Sequence, residues 1–265
     1  MKVEGKKQGV RKTVSVGRAV IGSPELVLIA DFSSKGQEDI LKWSRFLRSR
    51  GVSLLKMDSF SGEADFLAVV RNEFGMAVIT GVQEPSDVEQ AVACCDMIKV
   101  SWEQVFNCSL IQAVGKSGLP VLLERGVATT CEELLGAAGV LQEEGSEGIV
   151  FCIREIRGFE FPVRNVLDLS AVPVLKTLAP YPVVVDPGSA AGNQDFVRAM
   201  ARAAVAAGAD GLLLEFSQLE NLDLLLELRM VAKAVGKVVR EAENDDGRER
   251  KYLVEVREGV ANCDY

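Results

Sequence analysis

The 265-residue chain contains no histidine. That absence removes the side chain most used as a general base near neutral pH and the commonest transition-metal ligand. The chain also lacks a Gly-x-Gly-x-x-G stretch, which lowers a dinucleotide-binding reading. No Gly-x-Ser-x-Gly elbow is present, and without histidine nothing would activate a serine nucleophile. No apolar run reaches the roughly 20 residues needed to span a bilayer. The N-terminus, MKVEGKKQGVRKT, is basic but has no apolar signal-peptide core. A cytoplasmic protein away from membranes is the expectation. Basic residues are outnumbered, 30 against 38 acidic, and the net charge of -8 argues against a nucleic-acid partner. None of the six cysteines (Cys94, Cys95, Cys108, Cys131, Cys152 and Cys263) stands in a C-x-x-C pair. They read as small buried hydrophobes in a reducing compartment.

Apolar runs of strand length are plentiful. LVLIA (26–30), SLLKM (53–57), MAVIT (76–80), MIKV (97–100), PVLLE (120–124), GIVFCI (148–153), PVVVD (182–186) and GLLLEF (211–216) are near-continuous rather than alternating. Parallel strands covered on both faces have that pattern. Helical patterns fill the gaps. Ser86 with Glu89 and Thr130 with Glu133 have capping-box spacing, residues 193–210 run as a helix to a stop at Gly208, and residues 222–239 read as a last helix. Eight strand–helix units in this length predict an α/β fold, a (β/α)8 TIM barrel, better than an open doubly wound sheet, although periodicity alone cannot close a barrel. Residues 10–24 read as a hairpin with a Gly turn, a plug for the barrel bottom. The organisation expected is an N-terminal extension over 1–24, a barrel over 25–240 and a charged tail over 241–265, in which YLVEV (252–256) reads as a lone docking strand or disordered tail.

The chemistry of such a barrel sits at the C-terminal ends of its strands. One of these ends, VVVDPGSAAG (183–192), offers only Asp186 and the Ser189 hydroxyl. Lys99, at the end of its strand, is a candidate Schiff-base lysine if it is desolvated and neutral. Trp102, in the loop that follows, reads as packing or as a ligand-stacking ring.

The stretches RKTVSVGRAVIGSPELVLIA, EPSDVEQAV, AVGKSGLPVLLERG, RNVLDLSAVPVLK, VVVDP and ARAAVAAGADGLLLE resemble the DAHP synthase (3-deoxy-7-phosphoheptulonate synthase) family, in the branch related to KDO 8-phosphate synthase. The resemblance covers about residues 11–240. It implies a TIM barrel and an aldol-type condensation of phosphoenolpyruvate with erythrose 4-phosphate at a divalent metal held by Cys, His, Glu and Asp. At the matching positions this chain departs from the family. The Gly-Pro-Cys-Ser turn reads Asp31-Phe32-Ser33-Ser34, so Ser33 stands for the thiolate, and Ser189 stands for the imidazole. Glu215 matches the family Glu as a remnant metal position, and Asp223 is the nearest candidate for the Asp. For the phosphoenolpyruvate pocket, Lys-Pro-Arg-Thr becomes Ser61-Gly62-Glu63-Ala64, Gly-Ala-Arg-Asn becomes Ser101-Trp102-Glu103-Gln104, and a Lys becomes Glu124. Arg125 and Arg154 remain.

The expectation is therefore a degenerate family member with no cofactor, although Glu215, Asp186 and Asp31 could hold Mg²⁺ loosely. Arg154, Arg125, Lys99 and Asp186 are the candidate binding residues for a small anionic ligand. Arg154, Glu215, Asp186 and Lys99 read first as an internal salt-bridge network that satisfies leftover charges inside the barrel mouth. The expected role is binding or regulation, as a homo-oligomer or paired with an active DAHP synthase. The alternatives are a weakly active or altered phosphoenolpyruvate-dependent aldolase, and a barrel binding an unrelated small acid.

Overall fold

The computed structural model describes residues 10–33, 37–58, 64–159, 164–191 and 194–240. Eight parallel strands alternate with helices along it. They are β1 (Glu25–Asp31), β2 (Leu54–Met57), β3 (Ala77–Gly81), β4 (Met97–Val100), β5 (Val121–Arg125), β6 (Ile149–Ile153), β7 (Val183–Val185) and β8 (Gly211–Glu215). Each pairs with the next, and β8 pairs back onto β1 from Gly211↔Val27 to Glu215↔Asp31. This last ladder closes the barrel and excludes the open-sheet alternative.

The helices are α1 (Gln37–Ser49), α2 (Ala64–Phe74), α3 (Asp87–Cys94), α4 (Cys108–Gly115), α5 (Cys131–Glu143), α6 (Ala171–Leu178), α7 (Gln194–Ala206) and α8 (Leu222–Ala234). The expected box at α5 is present, with Thr130 and Glu133 capping each other. At α3 it is not. The Ser86 hydroxyl donates instead to Glu84, and Asp87 accepts from the Gln83 and Glu84 N–H groups. The helix α8 stops before residue 239. Gly236, at φ +77, turns the chain in a Schellman arrangement, with Gly236 N–H on Lys233 O and Lys237 N–H on Ala232 O. Val238–Val239 then adds a short parallel strand beside the start of β1.

Side chains alternate across each strand, so one set faces the ring interior and the other packs under the helices. The inner set is Val27, Ile29, Leu54, Ala77, Ile79, Met97, Leu122, Val150, Cys152, Val184 and Leu213, joined by Val14, Val16, Ala19 and Ile21. Those last four come from the N-terminal hairpin, Val14–Val16 paired with Ala19–Ile21. The hairpin is therefore the plug that the sequence suggested. Its turn residue Gly17 has φ +56, and a Cβ there would lie 2.7 Å from the Ala77 Cβ. Glycine meets both demands, the left-handed backbone and the close approach to the barrel floor.

Candidate functional site

The alternation that fills the interior with apolar side chains continues to the C-terminal strand ends, where it delivers charge. Asp31 follows Val27 and Ile29 in register, Lys56 follows Leu54, Lys99 follows Met97, and Glu124 follows Leu122. Arg154 follows Val150 and Cys152, Asp186 follows Val184, and Glu215 follows Leu213. All share the inward parity. Arg125 has the opposite parity and is turned away from them. Its Nη1 donates to Asp168 at 2.9 Å and its Nε to Thr129 O at 3.0 Å.

The inward charges form two linked clusters. In the first, Lys56 Nζ lies 2.9 Å from Asp31 Oδ2, 3.0 Å from Asp58 Oδ1 and 3.1 Å from Ser33 Oγ. Lys99 Nζ reaches the same Asp58 oxygen at 2.5 Å, and Ser33 Oγ donates to Asp31 Oδ1 at 2.6 Å. In the second, Arg154 Nε is 3.2 Å from Asp186 Oδ2 and 3.7 Å from Glu155 Oε2, and Arg154 Nη1 is 3.4 Å from Glu124 Oε2. Glu124 is fully buried, and its Oε1 has no hydrogen-bond partner. Three cations (Lys56, Lys99 and Arg154) thus meet five carboxylates (Asp31, Asp58, Glu124, Glu155 and Asp186).

The titration behaviour follows from this packing. Burial pushes Lys56 down, but Asp31, Asp58 and Glu124 outweigh it and hold the ammonium above its ordinary value. Burial disfavours the Arg154 charge as well, and Glu124, Asp186 and Glu155 reverse the effect. Burial pushes Asp58 up, yet Lys56 and Lys99 bring it well below the usual carboxylate range. Asp186 goes the other way. Burial raises it to about 6, more than Arg154 and the Ser189 N–H lower it, with Asp31 adding repulsion.

The residues expected to hold Mg²⁺ are dispersed into other work. Asp31 is bound to Lys56 and Ser33, Asp186 accepts from the Ser189 N–H, and the exposed Glu215 caps the short helix Phe216–Leu219 with Gln218. The Ser189 hydroxyl donates to Asp186 O. Asp223, read as a stand-in for the family Asp, is exposed in the first turn of α8, where it adds to Glu227 in raising the pKa of Arg198. Among the described residues, no three of the His, Cys, Asp and Glu side chains gather so that they could hold a metal ion. The donor set does not fit the metal that the family resemblance implies.

Lys99 is buried, but its Nζ is held 2.5 Å from Asp58 Oδ1, an ion pair that a Schiff-base nucleophile would have to break. Trp102 packs against Gly126, where a Cβ would come within 2.5 Å of the indole. Glu103 is exposed, and Glu63 lies outside the described residues, as do Cys263 and the tail from residue 241. Cys94, Cys95 and Cys152 are buried, Cys131 is half-buried and Cys108 is exposed. None of the helices among the described residues is long and apolar enough to cross a membrane.

Sequence reasoning missed Lys56 and Asp58, which tie the first cluster together. The signal was available: a lysine inside the apolar run SLLKM, at the inward parity, must find carboxylates.

These features define a (β/α)8 barrel whose strand-end cations are paired with the chain's own carboxylates. The family model of the DAHP synthetase I family matches residues 60–231, and the chain belongs to that family. It is 32% identical over 216 residues to the phospho-2-dehydro-3-deoxyheptonate aldolase of Thermotoga maritima, covering 76% of this chain and 64% of that one. It is 29% identical over 161 residues to the 2-dehydro-3-deoxyphosphooctonate aldolase of Desulfotalea psychrophila, covering 56% of each. The chain thus spans less than two thirds of the length of these relatives. Among solved structures, a truncated form of the 3-deoxy-D-arabino-heptulosonate 7-phosphate synthase of Thermotoga maritima superposes with a TM-score of 0.80 at 30% identity, covering 87% of this chain and 95% of that one.

Proposed function

We propose that this chain is a catalytically degenerate DAHP synthase homologue, cytoplasmic, with a binding or regulatory role linked to aromatic amino acid biosynthesis. The observation that carries the reading is the pairing of Lys56, Lys99 and Arg154 with the chain's own carboxylates. A phosphorylated substrate needs those cations unspent. Here it would have to displace carboxylates, Glu124 and Asp186 buried among them, and then sit beside them, a penalty on the order of several kcal/mol where water is excluded. The hydroxyls of Ser33 and Ser189 add to this, since neutral serine oxygens bind Mn²⁺, Zn²⁺ or Co²⁺ far more weakly than thiolate or imidazole. The role is then exercised by the barrel as a body, as a homo-oligomer or beside an active DAHP synthase.

The second reading, an altered phosphoenolpyruvate-dependent aldolase, is favoured by the inward Arg154 and by the names of the relatives. A turnover assay separates the two. With phosphoenolpyruvate, erythrose 4-phosphate and Mn²⁺, Zn²⁺ or Co²⁺, the expected result is no metal-dependent consumption above background. Sustained metal-dependent turnover would establish the aldolase instead.

A further inference from the structure

The last helix, α8, carries apolar residues on two opposite faces. Leu224, Leu225, Leu228 and Ala232 are buried against the barrel. On the outer side Leu222, Leu226, Met230 and Ala234 follow one another at four-residue steps, and all four are exposed. Leu226 is 53% exposed and Met230 66%. A helix on a barrel wall ordinarily turns polar side chains outward, and one that is apolar on both sides is covered on both. The exposed positions of α5 follow the ordinary rule. They are Glu132, Glu133, Gly136, Gln142 and Glu143, with no large apolar side chain among them.

The charges beside the α8 ridge point to what covers it. The chain has a net charge of -8, so two copies repel each other over most of their surface. Beside the ridge, Glu227 is already paired with Arg198 and Arg202 of α7, which removes one source of that repulsion. Asp223 near the start of α8 and Lys233 near its end are both exposed. At about 100° per residue they flank the outward direction on opposite sides, with Leu226 and Met230 between them. A second copy of α8 laid antiparallel, at the roughly 20° crossing of helix bundles, sets Asp223 against the partner's Lys233 and Leu226 against the partner's Met230. The two-fold axis makes each contact twice. A parallel copy would instead set like charges together. An unrelated protein would have to supply the same ridge and the same order of charges, whereas a second copy has both.

We propose that the outer ridge of α8 is a homodimer contact, in which α8 of a second copy packs antiparallel across a two-fold axis at the level of Leu228. The inference gives the homo-oligomer of the proposed role its contact surface and rests on that reading for what the dimer serves. The ridge supplies the apolar centre of the contact, and the two Asp223–Lys233 pairs at its rim fix its direction.

The test is the mass of the full chain in solution, by sedimentation between about 1 and 100 µM, a range that brackets micromolar association. The unsubstituted protein should reach the mass of two chains. Leu226→Glu should raise the dissociation constant at least about tenfold. Asp223→Lys and Lys233→Asp should each raise it about threefold or more, because each sets like charges opposite one another. The double variant Asp223→Lys with Lys233→Asp should return to within about twofold of the unsubstituted protein, since the exchanged charges meet again across the axis. Within one helix the two positions are roughly 15 Å apart, so that recovery reports the contact between copies. Should circular dichroism show Leu226→Glu unfolded, Met230→Lys takes its place with the same expected loss. A monomer throughout the range, a dimer indifferent to the ridge substitution, or a double variant no tighter than the weaker single one would overturn the proposal. A monomer would leave the turnover result to decide the degenerate reading, and turnover by the unsubstituted chain would leave these masses interpretable.

Discussion

Replacing Arg154 by methionine should destabilise the protein by about 3–5 kcal/mol at pH 7.5, the largest effect expected of any single mouth substitution. The cost arises from what remains rather than from what is removed. Glu124 is fully buried, and Arg154 is the cation nearest its Oε2. Asp186 is also buried and has Arg154 as its ion-pair partner. Methionine keeps much of the side-chain volume, so the loss reports stranded carboxylates rather than a cavity. Protonating Asp186, whose carboxyl is raised to about 6 by burial, relieves part of the penalty, so the loss should shrink at pH 5. Denaturant midpoints of the two proteins at both pH values measure it. A loss below about 1 kcal/mol at pH 7.5 would show that water, not Arg154, solvates the cluster.

Asp186→Asn should act in the opposite direction. The folded-state pKa of Asp186 is raised from 3.8 to about 6, chiefly by burial. A carboxyl raised on folding contributes stability that is fully present below 3.8 and lost as pH rises through about 6. Asparagine keeps an oxygen for the Ser189 N–H and has no proton to lose. Relative to wild type, Asp186→Asn should therefore gain about 2 kcal/mol in stability between pH 4.5 and pH 7.5. Paired urea titrations across that range provide the check. A difference that does not change with pH would mean that Asp186 titrates at its ordinary value.

The barrel strands were legible because parallel strands covered on both faces leave continuous apolar runs, and eight such runs can be counted. The hairpin at 14–21 was legible from its Gly turn. A second hairpin, Glu155–Arg157 with Asn165–Leu167, was not, because its strands are three residues long and carry no periodic signal. The last helix was read too long because AVGKVV stays apolar through Gly236, whose left-handed φ ends the helix.

The candidate site was half legible. Inward parity, applied residue by residue, separates Arg154 and Lys99 from Arg125 and finds Lys56. What sequence could not supply was pairing. The contacts of Lys56 and Lys99 with Asp58, and of Arg154 with Glu124 across 30 positions, depend on the closed ring bringing separate strand ends together. Glu124 illustrates the point. As a letter it is a lost lysine, and in the fold it is the buried counter-charge that occupies Arg154.

The central claim is that the mouth's cations are already satisfied by the chain itself. Isothermal calorimetry of phosphoenolpyruvate binding to the unsubstituted protein, with and without Mn²⁺, tests it most directly. The account predicts no saturable heat at submillimolar ligand in either condition, whereas micromolar binding of one phosphoenolpyruvate per chain would contradict it.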